Sequence, residues 1–326
     1  MIDAIVFALN IVLPNLILMG LGFFMHKQGQ ISKAFIDQAS KLVFNYALPC
    51  LLFFSVIKSK VDFAEQLNLI AAGLLVTLVL FFGSEIYAKY FIERNEDKGV
   101  FVQGVFRSNM AIIGLATVAN AYGNEGLSIG AVYMGVITLV FNVLAVITLT
   151  RTPTGESKPQ ARQRGYALML GKKIFTNPLI LSLLAAFAYK ALAASLNLPQ
   201  LPNVVTQTGS LLAALSLPLA LICAGATIDM RSMLALSGLS MQASLGRIVI
   251  APVLAVLVGL AFGLTGVHLG VLFLMVASPT AAASYVMAKA MGGNEVLAAN
   301  ILAFTTVFSL FGMAIGAAIL RGLGWM

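Results

Sequence analysis

Two short polar interruptions fall in the middle of apolar segments: Arg107-Ser108-Asn109 and Ser278-Pro279-Thr280. An arginine at the centre of a bilayer costs about 2.5–3.5 kcal/mol on insertion scales, so Arg107 is expected to face protein interior or water. Pro279 deletes one helical hydrogen bond and its ring clashes with the preceding turn. A break of this kind survives in lipid only where protein or a cavity supplies partners for the freed backbone groups. Asn109 and Gly114 offer the first segment a place to loosen, although it has no proline matching Pro279. Two broken helices that cross at their breaks place half-helix N-termini at mid-membrane, each with about half a positive charge and free N–H donors. With Arg107 added, such a site suits an anion, most simply a carboxylate. The expected substrate-binding set is Asn45, Arg107, Ser108, Asn109, Ser278, Pro279, Thr280 and Ser284. The plainer alternatives are that Pro279 only kinks its helix and that Arg107 neutralises a buried acid.

Three further charges are candidates for coupling to an ion. Glu85 and Lys89 lie four apart and share a helix face. They form either an ordinary ion pair or a proton-carrying site whose carboxyl responds to access and substrate. Arg247, mid-segment, either pairs with Glu85, counters the substrate or makes a structural contact. Cys50 and Cys223 sit in apolar stretches as small buried or lipid-facing residues, and His26 and His268 lie at segment ends without metal-ligand spacing. No HExxH, acid pair or nucleophile with a base is present, so no metal, cofactor or enzymatic activity is expected.

The elements that position these residues follow from composition. The 326 residues are 60% hydrophobic and 10% charged, with a mean hydropathy of +0.97. A soluble protein carries about 25% charged residues, so the solvent of this chain is lipid. A span needs about 20 apolar residues. That rule predicts an all-α membrane protein with ten spans, at 4–25, 34–57, 67–90, 100–122, 125–149, 173–194, 205–228, 233–262, 269–291 and 295–320. The first is too long for a signal-peptide core and is expected to be retained. The stretch 151–172 reads as a linker between two five-span halves, 1–150 and 173–326.

The halves look related. Gly123-Asn124-Glu125 recurs as Gly293-Asn294-Glu295 at an offset of 170, the offset that also relates the two interruptions. Comparing 104–128 with 274–298 gives six identities in 25 positions. Leu48-Pro49 matches Leu217-Pro218, and Pro14 matches Pro178, in the same order. An odd number of spans per half inserts the second half upside down, the inverted repeat of many secondary transporters. With the N-terminus outside, inner loops hold thirteen of the seventeen Lys and Arg residues counted near span ends. Both termini are then outside and the linker cytoplasmic, and the net charge of +8 reflects topology rather than a nucleic-acid partner. The Gly-Asn-Glu triplets are expected to cap hairpins and mark the register of the duplication.

The same residues carry a resemblance. Asn45 through Pro49, Asn109 through Gly114, Asn177-Pro178-Leu179-Ile180, Leu217 through Leu221 with Gly225-Ala226, and Ser278-Pro279-Thr280-Ala281 are similar to recurrent motifs of the auxin efflux carrier family, the PIN-like permeases. The resemblance covers the whole chain in order. It implies two inverted five-helix repeats with broken, crossing helices 4 and 9, a fold related to bile-acid sodium symporters, with a scaffold part and a moving part. It implies a bacterial-type permease for malonate, malate or a similar organic anion, acting by alternating access in the cytoplasmic membrane. Asn109 and Pro279 would mark the crossing. Met110, followed by Ile112 and Ile113, departs from the small or hydroxyl residue that the family often has after the asparagine, which points to a pocket for a different or less polar substrate. Proton coupling is preferred, since no carboxylate lies within either broken segment to complete a sodium cage. Sodium stays open through backbone carbonyls, Ser108, Thr280 and Ser284, as does uncoupled movement. The expected partners are a small organic anion and the bilayer, and a homodimer is left open. The competing functions are an anion channel and a membrane sensor.

Overall fold

A computed structural model describes residues 2–59, 66–150, 177–196, 201–235 and 237–326. All regular elements among them are helices. Seven helical runs are long and apolar enough to cross a membrane: Ile2–Lys27, Lys33–Lys58, Leu67–Phe91, Met110–Leu149, Asn203–Ala226, Gly238–Ala261 and Glu295–Gly322. The chain is a multi-pass membrane protein. Its outer surface agrees, with Phe82, Ile86, Leu211, Ile315 and similar residues more than half exposed, as a lipid-facing surface requires.

The run order shows where sequence punctuation acts. The first helix, α1 (Ile2–Lys27), contains Pro14 in its interior. Next, α2 (Lys33–Leu42) starts at Ser32, whose hydroxyl accepts the Phe35 N–H at 3.2 Å. A widened π turn, Val43–Ala47, joins it to α3 (Leu48–Lys58). Pro49 explains the widening: it has no N–H and its ring pushes away the carbonyl four residues earlier, that of Asn45. The same device recurs at Gly246–Ile250, between α10 (Gly238–Leu245) and α11 (Ala251–Ala261), where Pro252 follows.

Between these lie α4 (Leu67–Phe91), α5 (Asn95–Phe106), α6 (Leu115–Leu149), α7 (Pro178–Leu196), α8 (Asn203–Ala226) and the short α9 (Met230–Leu234). The chain closes with α12 (Gly266–Ala277), α13 (Ala282–Met291) and α14 (Glu295–Gly322).

Several expected boundaries move. The expected spans at 100–122 and 125–149 share one run from Met110 to Leu149, while the beginning of the first is the separate helix α5. Gly123 kinks that run at φ 57°, a left-handed conformation that glycine adopts without steric cost. The expected span 269–291 is two short helices, α12 and α13. The expected span 233–262 begins later, at Gly238, behind a capping box made by Ser237 and Ser240. Pro178 opens α7, whereas Pro14 is interior, so these two prolines do different work in their helices. Pro218 lies inside a continuous α8. The linker 151–172 falls outside the described residues.

The second Gly-Asn-Glu triplet lies in the turn between α13 and α14, whereas the first lies at the Gly123 kink within α6. Asn294 caps α14 by accepting the Leu297 N–H at 3.0 Å, and its amide donates to Asp97 Oδ1 at 2.7 Å, at the start of α5. Glu295 pairs with Lys289 at 3.0 Å. In the turn between α13 and α14 the left-handed residue is Gly292, at φ 78°, one position earlier than the offset from Gly123 would place it.

In packing, α1 lies along α8 and α14, and α3 lies on α7 and α8. Helix α12 packs on α6 and α11, and α4 packs on α5, α6 and α11. The α1–α8 contact is backbone against backbone. A Cβ added at Gly22 would stand 2.0 Å from the Ile222 carbonyl oxygen, and one at Gly225 would stand 1.9 Å from that of Met19. Such close approach is how helices gain dispersion energy in lipid, where no hydrophobic effect drives them together.

Candidate functional site

The two interruptions meet. Helix α5 ends at Phe106, residues 107–109 are non-helical, and a π turn (Met110–Gly114) starts the next half. Helix α12 ends at Ala277, residues 278–281 are non-helical, and α13 begins at Ala282. Ser108 and Thr280 pair side by side as a single antiparallel bridge, the one strand-like contact among the described residues. Asn109 donates its N–H to the Pro279 carbonyl at 2.7 Å, and Ala281 donates to the Arg107 carbonyl at 3.0 Å. The break at 107–109 therefore needs no proline, because the opposite segment supplies its main-chain partners. Gly114 is required at the next turn: a Cβ there would lie 2.9 Å from both the Met275 sulfur and the Ser278 hydroxyl.

Each break leaves carbonyls at the C-terminus of one half-helix and N–H groups at the N-terminus of the next. The carbonyls are satisfied by protein. The Ser278 hydroxyl donates to the carbonyls of Leu274 and Met275, at 3.1 and 2.8 Å. The Thr280 hydroxyl donates to the Gly104 carbonyl at 2.8 Å. Arg247, fully buried, donates to the carbonyls of Val105 at 2.9 Å, Phe106 at 3.1 Å and Val276. The N-terminal ends differ: neither Asn109 nor Ala281 makes a side-chain cap bond to the half-helix it precedes. Asn109, Ala111 and Ala281 are half-buried, and Ala282 and Ala283 are exposed, so the α13 end reaches the surface behind small side chains and the Met110 end is partly covered.

Arg107 is 5% exposed. Its guanidinium donates to Gln103 Oε1 at 3.2 Å, to the Met287 sulfur at 2.8 Å and to Asn142 Oδ1 at 2.7 Å. All three partners are neutral. Beside it, two buried donors make no hydrogen bond: Gln103 Nε2, and the hydroxyl of Ser284, three residues before Met287 on the same face of α13.

The crossing thus unites Arg107, Ser108, Asn109, Ser278, Pro279 and Thr280, with Ser284 one turn on. The hydroxyls of Ser278 and Thr280 are turned onto helix carbonyls. Asn45 stands apart: it is exposed on the π turn between α2 and α3, and no described hydrogen bond joins it to the crossing. Glu85 and Lys89 line a separate cavity of about 360 Å³ with Asn95, Lys98 and Thr148. A larger cavity, about 830 Å³, opens between α3, α6, α8 and α12 and is lined by Ser55, Lys58, Glu125, Ser128, Ser210 and His268.

Sequence reasoning missed Gln103, Asn142 and Thr305. Thr305, on α14, accepts the Thr280 N–H at 3.2 Å. A polar residue within an apolar run is a usable signal for all three, but it does not say which interruption the residue serves. Missed too is a buried chain at α1: Asn15 donates to the Thr117 hydroxyl at 2.9 Å, and Asn120 donates to Asn15 Oδ1 at 3.0 Å.

Residues 7–316 match the family described as membrane transport protein. A protein named uncharacterized transporter YfdV, from Escherichia coli strain K12, is 22% identical over 317 residues, covering 94% of this chain and 96% of that protein. An uncharacterized transporter from Methanothermobacter thermautotrophicus is 24% identical over 315 residues, covering 95% and 97%.

Proposed function

The chain belongs to the membrane transport protein family, that of the PIN-like auxin efflux carriers, and from that premise we propose that it is a secondary transporter of a small organic anion. It works by alternating access in the cytoplasmic membrane, with ten spans in two inverted halves, both termini outside and the crossing as the substrate site. One observation carries the anion reading. Protein groups cap the C-terminal carbonyls of both first half-helices, whereas no side chain caps either N-terminal end.

The charge balance supports a carboxylate, and a dicarboxylate best. Two helix N-termini contribute about +1 together and Arg107 contributes another +1, so about two negative charges complete the site. Malonate and malate have that charge. Binding would bring the orphan donors Gln103 Nε2 and Ser284 Oγ an acceptor. Glu85, in its own cavity, is the candidate proton carrier, which makes proton coupling the preferred mode.

Uptake by proteoliposomes tests this reading. Labelled malonate, malate and acetate are offered with and without sodium and at two pH values. Saturable uptake of a dicarboxylate, unchanged by sodium and faster with a proton gradient, is the expected result. Uptake of a cation or a sugar in preference to every carboxylate overturns it.

A further inference from the structure

Among the described residues, the largest fully buried side chain is Arg247, which carries a charge and has no exposed surface. Its Nη1 donates to the carbonyls of Val105 and Phe106, the last residues of α5, and its Nη2 to Val276 in the last turn of α12. One guanidinium therefore holds the C-terminal ends of both broken helices, which lie about 170 residues apart in sequence. Its own helix permits this. Arg247 sits in the π turn Gly246–Ile250, and Gly246 packs on Val105, where a Cβ would stand 3.1 Å from a Val105 methyl.

A helix C-terminus carries roughly half a negative charge, so two side by side amount to about −1 at mid-membrane. They repel each other, and they would repel an anion bound at the adjoining N-termini. A single buried arginine cancels about that much charge, and its planar fork of donors reaches carbonyls on two helices at once.

We propose that Arg247 is the positioning residue that fixes the sign of the crossing. It neutralises the two C-terminal ends and holds them together, so that the potential left at the crossing is that of the two N-terminal ends and Arg107. Arg247 touches main chain only and acts on substrate through the field and the geometry it sets. The affinity part of this inference rests on the anion reading above; the clamp does not.

The test uses the full-length protein with Cys50→Ala and Cys223→Ala, carrying Arg247→Lys, Arg247→Gln or Arg247→Met. Two quantities are measured. The first is disulfide formation between Ser108→Cys and Thr280→Cys, which reports the crossing without any substrate; paired residues of this kind lie about 4.5 Å apart at Cα, within disulfide range. The second is KM and Vmax for labelled malonate in proteoliposomes made from the Arg247 variants with Ser108 and Thr280 intact. Arg247→Gln, which keeps donors and loses charge, should retain the cross-link and raise KM at least about tenfold with little change in Vmax, as loss of about 1.4 kcal/mol implies. Arg247→Lys, which keeps the charge, should restore most of that affinity. Arg247→Met should lose the cross-link as well. A wild-type KM in Arg247→Gln, or Arg247→Lys no better than Arg247→Met, overturns the electrostatic role. An undiminished cross-link in Arg247→Met overturns the clamp. If the parent protein does not take up malonate, the substrate reading fails while the cross-link still decides the clamp.

Discussion

Asn109 gives its backbone N–H to the carbonyl of Pro279, and Pro279 has no N–H to return. The two residues stand 170 positions apart, the offset that relates the Gly-Asn-Glu triplets. A symmetric crossing would make both bonds between this pair. Here the Asn109 carbonyl accepts instead from Gly114, at 3.1 Å, and starts the π turn. The asymmetry of the site therefore begins in the main chain.

Replacing Pro279 by alanine restores an N–H at the break and frees Ser278 from the extended conformation that a following proline favours. Helix α12 can then grow towards Thr280. The Ser108–Thr280 cross-link should form less readily in Pro279→Ala than in the parent, and uptake should fall at least about tenfold, the equivalent of one lost charge-assisted bond. Equal cross-linking would show that the bridge itself, and not the proline, maintains the break.

Arg107→Ala should abolish dicarboxylate uptake while the protein still inserts and reaches the membrane in normal amount. A bond to a charged group is worth about 1.5–3 kcal/mol, or roughly 10- to 100-fold in affinity. Arg107→Lys should keep part of the uptake, since a lysine supplies the charge without the planar fork that reaches Gln103 and Asn142. Full uptake by Arg107→Ala removes this residue from the mechanism.

A Cβ at Gly225 has nowhere to go, whereas at Gly20, on the same α1–α8 pair of helices, it meets nothing within 4 Å. Gly225→Ala should therefore destabilise the protein by about 1–3 kcal/mol, read as a lower thermal midpoint in detergent. Gly20→Ala should be neutral or stabilising by up to about 1 kcal/mol from helix propensity. Equal midpoints for the two variants would mean that the helices separate freely in solution.

Asn15, 1% exposed, sits between Thr117 and Asn120 and ties α1 to the helix that leaves the crossing. Asn15→Ala removes one bond each from Thr117 and Asn120, which keep the Ile113 and Ile11 carbonyls, so the cost is about 0.5–1.5 kcal/mol per bond. Adding Thr117→Val should cost less than the separate effects combined, because the bond between Asn15 and Thr117 is already lost in the single variant. Strict additivity in a double-mutant cycle would show that the two side chains do not interact.

The crossing is legible in the amino-acid sequence because a proline and an arginine each carry a large cost in segments otherwise made of apolar residues. The capping of its carbonyls is not. Arg247 meets Val105 and Phe106 from more than 140 residues away, and no local pattern records that distance. Of the predicted fold, the helical membrane class follows from composition alone. Pro14 and Pro178 align in sequence, yet one lies within a helix and the other begins one, because a proline is tolerated in the first turn for a different reason than in the interior. At Asn45 the neighbouring Pro49 does disturb the helix, and Asn45 is exposed on the widened turn, with no described hydrogen bond to the crossing.

The bridge between Ser108 and Thr280 is made of main chain, and any residue with a peptide group can take part in it. The joint does not depend on the chemistry of the side chains that surround it. Neighbouring side chains such as Ala281 and Ala282 can change while the frame that presents two helix ends stays in place. A protein built this way can vary the surroundings of the joint by small steps without losing the fold.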